Sequence, residues 1–265
     1  MKLKARGRGS HKGMNGRVLV VGGSRCYSGA PALVSLAALR TGVDLVYTVV
    51  PSCISRTAAG YSPDLIVWGF EGEYLNENAL GLVEELLDKT DALVIGNGLT
   101  KEKGAMKTAQ HILDSWKKPV VIDADCIGNV KARGKNVVYT PHAGEFERLT
   151  GKKPVSEQVV HEAAGKLGVT ILLKGRVDVI SDGKMIKYNR TGNAGMTVGG
   201  TGDVLAGIVG GFLSQGYPAF EAARMGAYVN GTAGDLAFKK FGYCLLASDL
   251  LIEIPDAIKS LSRNR

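Results

Sequence analysis

A run of small residues, Gly199-Gly200-Thr201-Gly202, leads directly into Asp203 and then into the uncharged stretch Val204 to Ser214. Glycine has no Cβ and tolerates positive φ, so the backbone here can approach a ligand closely. The apolar stretch reads as a helix. That puts the glycines at a helix N-terminus, where unpaired N–H groups and the positive end of the dipole favour a phosphate. A carboxylate in the same place is out of keeping with an anionic ligand. Two roles account for Asp203: a base held against the hydroxyl of a phosphate acceptor, or a cap for the helix.

Other reactive residue types recur at the ends of apolar runs. Gly22-Gly23-Ser24, Gly96-Asn97-Gly98, Asp123-Ala124-Asp125, His142-Ala143-Gly144-Glu145 and Lys174-Gly175 each follow a short β-rich run. In a parallel sheet the ligand lies beyond the carboxyl ends of the strands. Clusters gathered on that one edge, beside a glycine-rich helix start, point to a shared site.

The elements that must position them follow from periodicity. Strands are predicted at 17–21, 45–50, 65–68, 92–95, 120–122, 137–140 and 170–173, alternating with helices at 28–40, 52–60, 76–89, 103–116 and 156–167. Such alternation without a linker argues for one α/β domain over 1–265, with a mostly parallel sheet covered on both faces. Residues 177–180 and 185–188 depart from the rhythm, since an Asp182-Gly183 turn between two short strands reads as a hairpin. From Asp203 the chain reads as helical, at 203–215, 218–238 and 247–262. Residues 1–16, with Lys2, Lys4, Arg6, Arg8 and Lys12 among glycines, are expected to form an extended arm or a cap.

Composition narrows the function classes. A chain of 265 residues that is 45% hydrophobic and 22% charged is ordinary for a soluble globular protein. Its uncharged runs are too short to span a bilayer and its N-terminus lacks the apolar core of a signal peptide, so a cytoplasmic location is expected. Cys26, Cys53, Cys126 and Cys244 have no CxxC spacing and read as free thiols. The net charge of +8 is spread along the chain and aromatics are only 6%, which argues against nucleic acid as a partner and suits anionic small molecules. Neither GxxxxGK[ST] nor a strand-borne GxGxxG occurs, which excludes a Walker-type NTPase and a Rossmann dinucleotide fingerprint.

The segment from Asn189 to Gly207, which contains Asn193-Ala-Gly-Met-Thr-Val-Gly-Gly-Thr-Gly-Asp203, closely resembles the signature of the NAD(P)H-hydrate dehydratases of the ribokinase-like superfamily. His11-Lys-Gly13, Val20 to Ser24, Tyr27 to Ala30, Val121 to Asp125, Thr140 to Glu145 and Leu173 to Gly175 stand in that family's order and cover nearly the whole chain. The resemblance implies a ribokinase-like three-layer sandwich. It also implies repair of hydrated nicotinamide nucleotides: ADP, or ATP in some lineages, drives loss of water from (S)-NADHX or NADPHX by phosphorylation of the hydroxyl and elimination of phosphate. Asp203 would be the base, with the N–H groups around Gly200 and Gly202 stabilising the transferred oxygens. Ala30, Gly98, His142 and Asp203 would contact the hydrated dinucleotide. Lys174, Gly175, Arg176, Val177, Asp178 and Gly202 would hold the adenine nucleotide.

Glu145 corresponds to a superfamily acid that orders magnesium-bound water, with a salt bridge to Arg148 as its structural alternative. Asp123 and Asp125 either assist the metal or cap the following turn. The resemblance implies a homo-oligomer, and a separate epimerase where that domain is not fused. Two stretches depart from the family pattern: Cys126-Ile-Gly-Asn129, and Gly96-Asn-Gly-Leu-Thr100 in place of a proline- and glycine-rich loop. The competing readings are a vitamin-precursor kinase of the same superfamily and a non-catalytic adenine-nucleotide sensor. Retention of Asp203 beside the glycines argues against the sensor, because binding without transfer has no need of a carboxylate.

Overall fold

Short runs of Val, Ile and Leu without polar alternation suit strands buried on both faces. The computed structural model describes residues 3–263, so Met1 and Lys2 of the expected arm, together with Asn264 and Arg265, lie outside the described residues. In chain order the elements are β1 (Arg17–Val21), α1 (Gly29–Arg40), β2 (Leu45–Pro51), α2 (Ser52–Gly60), β3 (Ile66–Phe70), α3 (Ala79–Leu87), β4 (Ala92–Ile95), α4 (Lys103–Ser115) and β5 (Val120–Ile122). They continue with β6 (Val137–Tyr139), α5 (Ala143–Thr150), α6 (Glu157–Leu167), β7 (Thr170–Leu173), β8 (Asp178–Ser181), β9 (Ile186–Asn189), α7 (Thr201–Ser214), α8 (Ala219–Phe241) and α9 (Ala247–Arg263).

Among the described residues the strands form one nine-stranded sheet, in the order β3-β2-β1-β4-β5-β6-β7-β8-β9. Pairing is parallel from β3 through β7 and antiparallel at β7–β8 and β8–β9. The hairpin therefore extends the parallel sheet by an antiparallel edge, as the Asp182-Gly183 turn suggests. From β1 the chain runs outward through β2 and β3, then returns to place β4 on the other side of β1. This reversal opens a crevice at the carboxyl ends of β1 and β4, where open α/β sheets bind ligands.

Both faces of the sheet are covered. In β1, Val18 and Val20 join a core with Val34, Ile208 and Val209, while Leu19 and Val21 join another with Ile112 and Phe146. Alternation of side chains across the strand sends successive residues to opposite layers. Helix α7 is buried along its whole length from Val204 to Ser214, so it has no solvent face. A Cβ on Gly207 would meet the Val34 carbonyl oxygen at 2.2 Å. The absence of that Cβ lets α1 and α7 touch backbone to backbone, which fixes the start of α7 relative to β1.

Two segments differ from the sequence expectation, and a third takes one of the two forms expected of it. Helix α7 begins at Thr201, which places Asp203 inside its first turn. Helix α5 forms straight after His142, where the sequence showed only a polar strand end. The basic N-terminal segment is a cap: Lys4 N–H donates to the Tyr217 hydroxyl at 2.6 Å, and Lys4 Nζ donates to the Gln215 and Gly216 carbonyls at the end of α7. The free cysteines are as expected, with Cys126 buried and the other three exposed. No helix among the described residues is long and apolar enough to cross a membrane.

Candidate active site

The turn before α7 is held by its own side chains. Gly200 has φ of 98°, a left-handed conformation that a Cβ disfavours, and it stands at the N-cap. Thr201 Oγ1 donates to the carbonyls of Met196 (2.8 Å) and Val198 (3.2 Å). Upstream, Asn193 Nδ2 and the Gly192 N–H donate to the two oxygens of Asp235 on α8. The glycine-rich turn is therefore clamped, and the opening N–H groups of α7 have no helical acceptor of their own.

Asp203 does not cap this helix. Its Oδ1 accepts from Asn97 Nδ2 at 2.6 Å, a partner beyond the end of β4. Burial is the main cause that pushes its pKa up, reinforced by the nearby Asp123 carboxylate. Hydrogen bonding from Asn97 and the charge of Lys174 pull the other way, and the balance brings Asp203 up to about 7. A carboxylate poised there can take a proton near neutrality and return it.

The neighbours form one connected set. Asp123, at the end of β5, accepts from Thr140 Oγ1 (2.7 Å), Lys174 Nζ (3.1 Å) and Asn97 Nδ2 (2.9 Å). Both of its oxygens are thus engaged within the protein. Asp125 instead accepts the Thr100 N–H at 3.0 Å, closing the turn across to the β4 loop. Burial opposes the charge of Lys174, but Asp123 and Glu145 outweigh it and raise its pKa, so the ammonium is held charged. A Cβ at Gly202 would lie 3.4 Å from Lys174 Nζ, which places this cation against the first turn of α7.

Helix α5 explains Glu145. His142 Nδ1 accepts the Gly144 and Glu145 N–H groups while Glu145 Oε2 accepts the His142 N–H, a reciprocal capping box. Glu145 pairs with Lys174 (3.7 Å) and His142 (3.4 Å), and no pair with Arg148 occurs among the described residues. No group of three or more His, Cys, Asp or Glu side chains placed to hold a metal ion occurs among the described residues. Both Glu145 oxygens are engaged within the protein, Oε2 by the His142 N–H and Lys174 and Oε1 by the His142 ring.

A cleft of about 1120 Å³ opens beside these groups. Lys174, Gly175, Arg176, Val177 and Asp178 line it, as does Gly202 opposite, so the segment assigned to the adenine nucleotide is brought together. Asp178 accepts from the Gly175 N–H and from Asn189 Nδ2, which folds this segment into a tight turn. His142 lines the same cleft. Ala30 and Gly98 lie elsewhere and pack against each other, since a Cβ on Gly98 would meet that of Ala30 at 3.2 Å. Asp203 connects the two regions: it follows Gly202 in the chain and is tied by Asn97 to the loop carrying Gly98.

Sequence reasoning did not single out Asn97 or Arg190. Arg190 lines the cleft beside Thr191 and Gly192 and adds a cation to Lys174 and Arg176 in its lining. Its only sequence signal was its place near the start of the segment from Asn189 to Gly207 that resembles the family signature. For Asn97 the signal was an asparagine between two glycines at a strand end.

The sequence model of the NAD(P)H-hydrate dehydratase family matches residues 18–256. Curated relatives include the bifunctional NAD(P)H-hydrate repair enzyme of Archaeoglobus fulgidus, 47% identical over 94% of this chain and 52% of its own. They also include the ADP-dependent (S)-NAD(P)H-hydrate dehydratase of Cenarchaeum symbiosum, 41% identical over 98% of this chain and 94% of its own. The chain spans about half the length of the first curated relatives it matches. Among solved structures, a ribokinase-like superfamily protein from Enterococcus faecalis superposes with a TM-score of 0.88 at 29% identity, covering 98% of this chain and 92% of that one. The Bacillus subtilis ADP/ATP-dependent NAD(P)H-hydrate dehydratase, co-crystallised with ATP and Mg2+, superposes with a TM-score of 0.86 at 27% identity, covering 97% and 94%. The three-layer arrangement is thus the ribokinase-like one, and with the family model matching most of its length the chain belongs to the NAD(P)H-hydrate dehydratase family.

Proposed function

We propose that the protein dehydrates (S)-NADHX or (S)-NADPHX to NADH or NADPH, using ADP or ATP with Mg2+. The observation that carries the reading is Asp203, with its pKa near 7, at the junction between the cleft lined by Lys174 to Asp178 and the Gly98–Ala30 wall. On this reading the adenine nucleotide occupies the cleft, its phosphates meeting Lys174 and the opening N–H groups of α7. Magnesium bound there would supply charge neutralisation at the phosphates, with Glu145 holding it through water. Asp203 takes the proton of the hydrate's hydroxyl as its oxygen attacks the terminal phosphoryl group. The N–H groups of the Gly200–Gly202 turn stabilise the transferred oxygens. Phosphate then leaves with its carbon–oxygen bond electrons, and loss of a proton from the adjacent ring carbon supplies the electron pair that restores the ring double bond.

The names of the relatives support this reaction over the vitamin-precursor kinase and the nucleotide sensor. We further propose a cytoplasmic homo-oligomer served by an NAD(P)HX epimerase. The exposed Phe241, Tyr243, Leu246 and Ile252 at the α8–α9 corner support self-association, which light scattering tests. Incubation with NADHX, ADP or ATP, and Mg2+ should give nucleotide-dependent growth of the reduced-nicotinamide absorbance. No gain with either nucleotide rejects the assignment.

A further inference from the structure

An asparagine side chain that serves only to stabilise a loop finds partners for both its carbonyl and its amino group. Asn97 does not. It is 1% exposed, its Nδ2 donates to Asp203 Oδ1 (2.6 Å) and to Asp123 Oδ2 (2.9 Å), and its buried Oδ1 has no partner. Rotating the amide would turn that oxygen onto two carboxylates, so the donor must face them. Leaving a buried carbonyl unsatisfied costs about 1–3 kcal/mol. That cost is borne where both N–H groups are spent on acids from different elements.

Building on the dehydratase reading, we propose that Asn97 is a positioning residue for the reaction: its amide ties Asp203 to the buried Asp123 and fixes where the base stands. The loop that carries it is anchored. The Asn97 carbonyl accepts the Gly23 N–H at 2.8 Å, linking the ends of β4 and β1 at the crevice. A Cβ on Gly96 would fall 1.9 Å from the Asp123 carbonyl, so the loop backbone rests directly on β5's end. Asp123 is held in turn by Thr140 and Lys174. Asp203 Oδ1 is thereby fixed, and Oδ2 has no hydrogen bond among the described residues and is left for proton transfer. The charged groups that face Asp203 are Asp123 from β5's end and Lys174 from β7's end, with Glu145 of α5 on the far side of Lys174. Without Asn97 the ionised base loses its nearest donor while the repulsion from Asp123 stays, so its pKa rises.

The test compares Asn97→Leu, which keeps the size and removes the donor without adding a charge, with Asn97→Ser, which keeps one donor. Two readouts are taken: kcat and KM with NADHX and nucleotide across pH, and the carboxyl ¹³C titration of Asp203, assigned by its loss in Asp203→Asn. Nucleotide affinity measured by calorimetry checks that the fold is intact. Asn97→Leu should lower kcat by about 10²-fold with nucleotide KM nearly unchanged. It should also move the Asp203 midpoint upward by about one pH unit or more. Asn97→Ser should fall between. A wild-type midpoint and a wild-type kcat in either variant overturn the positioning role. If the wild-type protein does not dehydrate NADHX, the functional assignment fails by itself, and the carboxyl titration still decides whether Asn97 holds Asp203.

Discussion

Lys174 Nζ lies 3.1 Å from Asp123 Oδ1 and 3.7 Å from Glu145 Oε2, so one ammonium at the end of β7 neutralises acids from β5 and α5. The Asp123 side chain is 2% exposed and the Glu145 side chain 8%, which leaves both dependent on that charge. Removing the cation strands two buried carboxylates. Lys174→Met should therefore destabilise the fold by about 3–5 kcal/mol, seen as a lower midpoint in urea with an unchanged slope. Adding Asp123→Asn should restore part of the loss, because the two sites are in contact and their effects do not add. In the assay the same variant should raise the nucleotide KM by roughly tenfold, since the missing ammonium also faces Gly202.

Asp203 must be ionised to accept a proton, and its pKa stands at about 7. The rate should accordingly fall as pH drops below that value, with an acid limb in kcat/KM, which reports the free protein's groups. An acid limb near the ordinary carboxylate range would show that Asp203 is not the titrating base. Asp203→Asn should lower kcat by roughly 10²-fold to 10⁴-fold with nucleotide affinity retained.

The same shift has an opposite consequence for stability. Burial raises the folded-state pKa of Asp203 from 3.8 to about 7, so the folded protein binds this proton more tightly than the unfolded chain does. Stability is lost as pH rises from the unfolded value through the folded one, and the penalty is complete above about 7. Asp203→Asn removes the titration. It should stabilise the protein at pH 8 by about 2–4 kcal/mol and lose that advantage near pH 4. Denaturant melts at the two pH values measure it. Equal differences at both would mean that the carboxylate is not strained by its burial.

The parallel strands were legible as short apolar runs, and the candidate edge followed from the five that end in glycine or a reactive residue. The start of α7 was legible as a glycine-rich turn leading into a helix but not its first residue, since Gly200 caps it by conformation and offers no side chain. Helix α5 was hidden because its cap is a histidine, outside the Ser, Thr, Asp and Asn set, and because Gly144 interrupts its first turn. Lys174 to Asp178, assigned to the nucleotide by resemblance, lines one cleft because it is contiguous and folds on itself. Asn97 could not be assigned, because its role exists only where the ends of β4, β5 and α7 meet, and its partner Asp203 stands 106 residues away. Pairings of that kind are set by strand order, which local spacing does not encode.

The loop that carries Asn97 ends in a strained residue. Thr100 has φ of 67°, in the left-handed region where a β-branched side chain costs about 1–2 kcal/mol. Its Oγ1 is buried without a partner, while its N–H is well used, donating to Asp125 Oδ2 at 3.0 Å. Thr100→Gly keeps that backbone bond, relieves the strain and removes the unsatisfied hydroxyl. The greater freedom of glycine in the unfolded chain offsets part of the gain, by about 1 kcal/mol. The net expectation is about 1 kcal/mol of added stability, or roughly 2–4 °C in Tm for a chain of this size. Because Asn97 is held by Gly23 and Asp123 rather than by Thr100, kcat should stay within about twofold. A lower Tm would mean that the threonine methyl and hydroxyl pack well enough to outweigh their strain. A large fall in kcat with a raised Tm would show instead that the rigid end of the loop, and not the Gly23 and Asp123 contacts alone, keeps Asn97 aimed at Asp203.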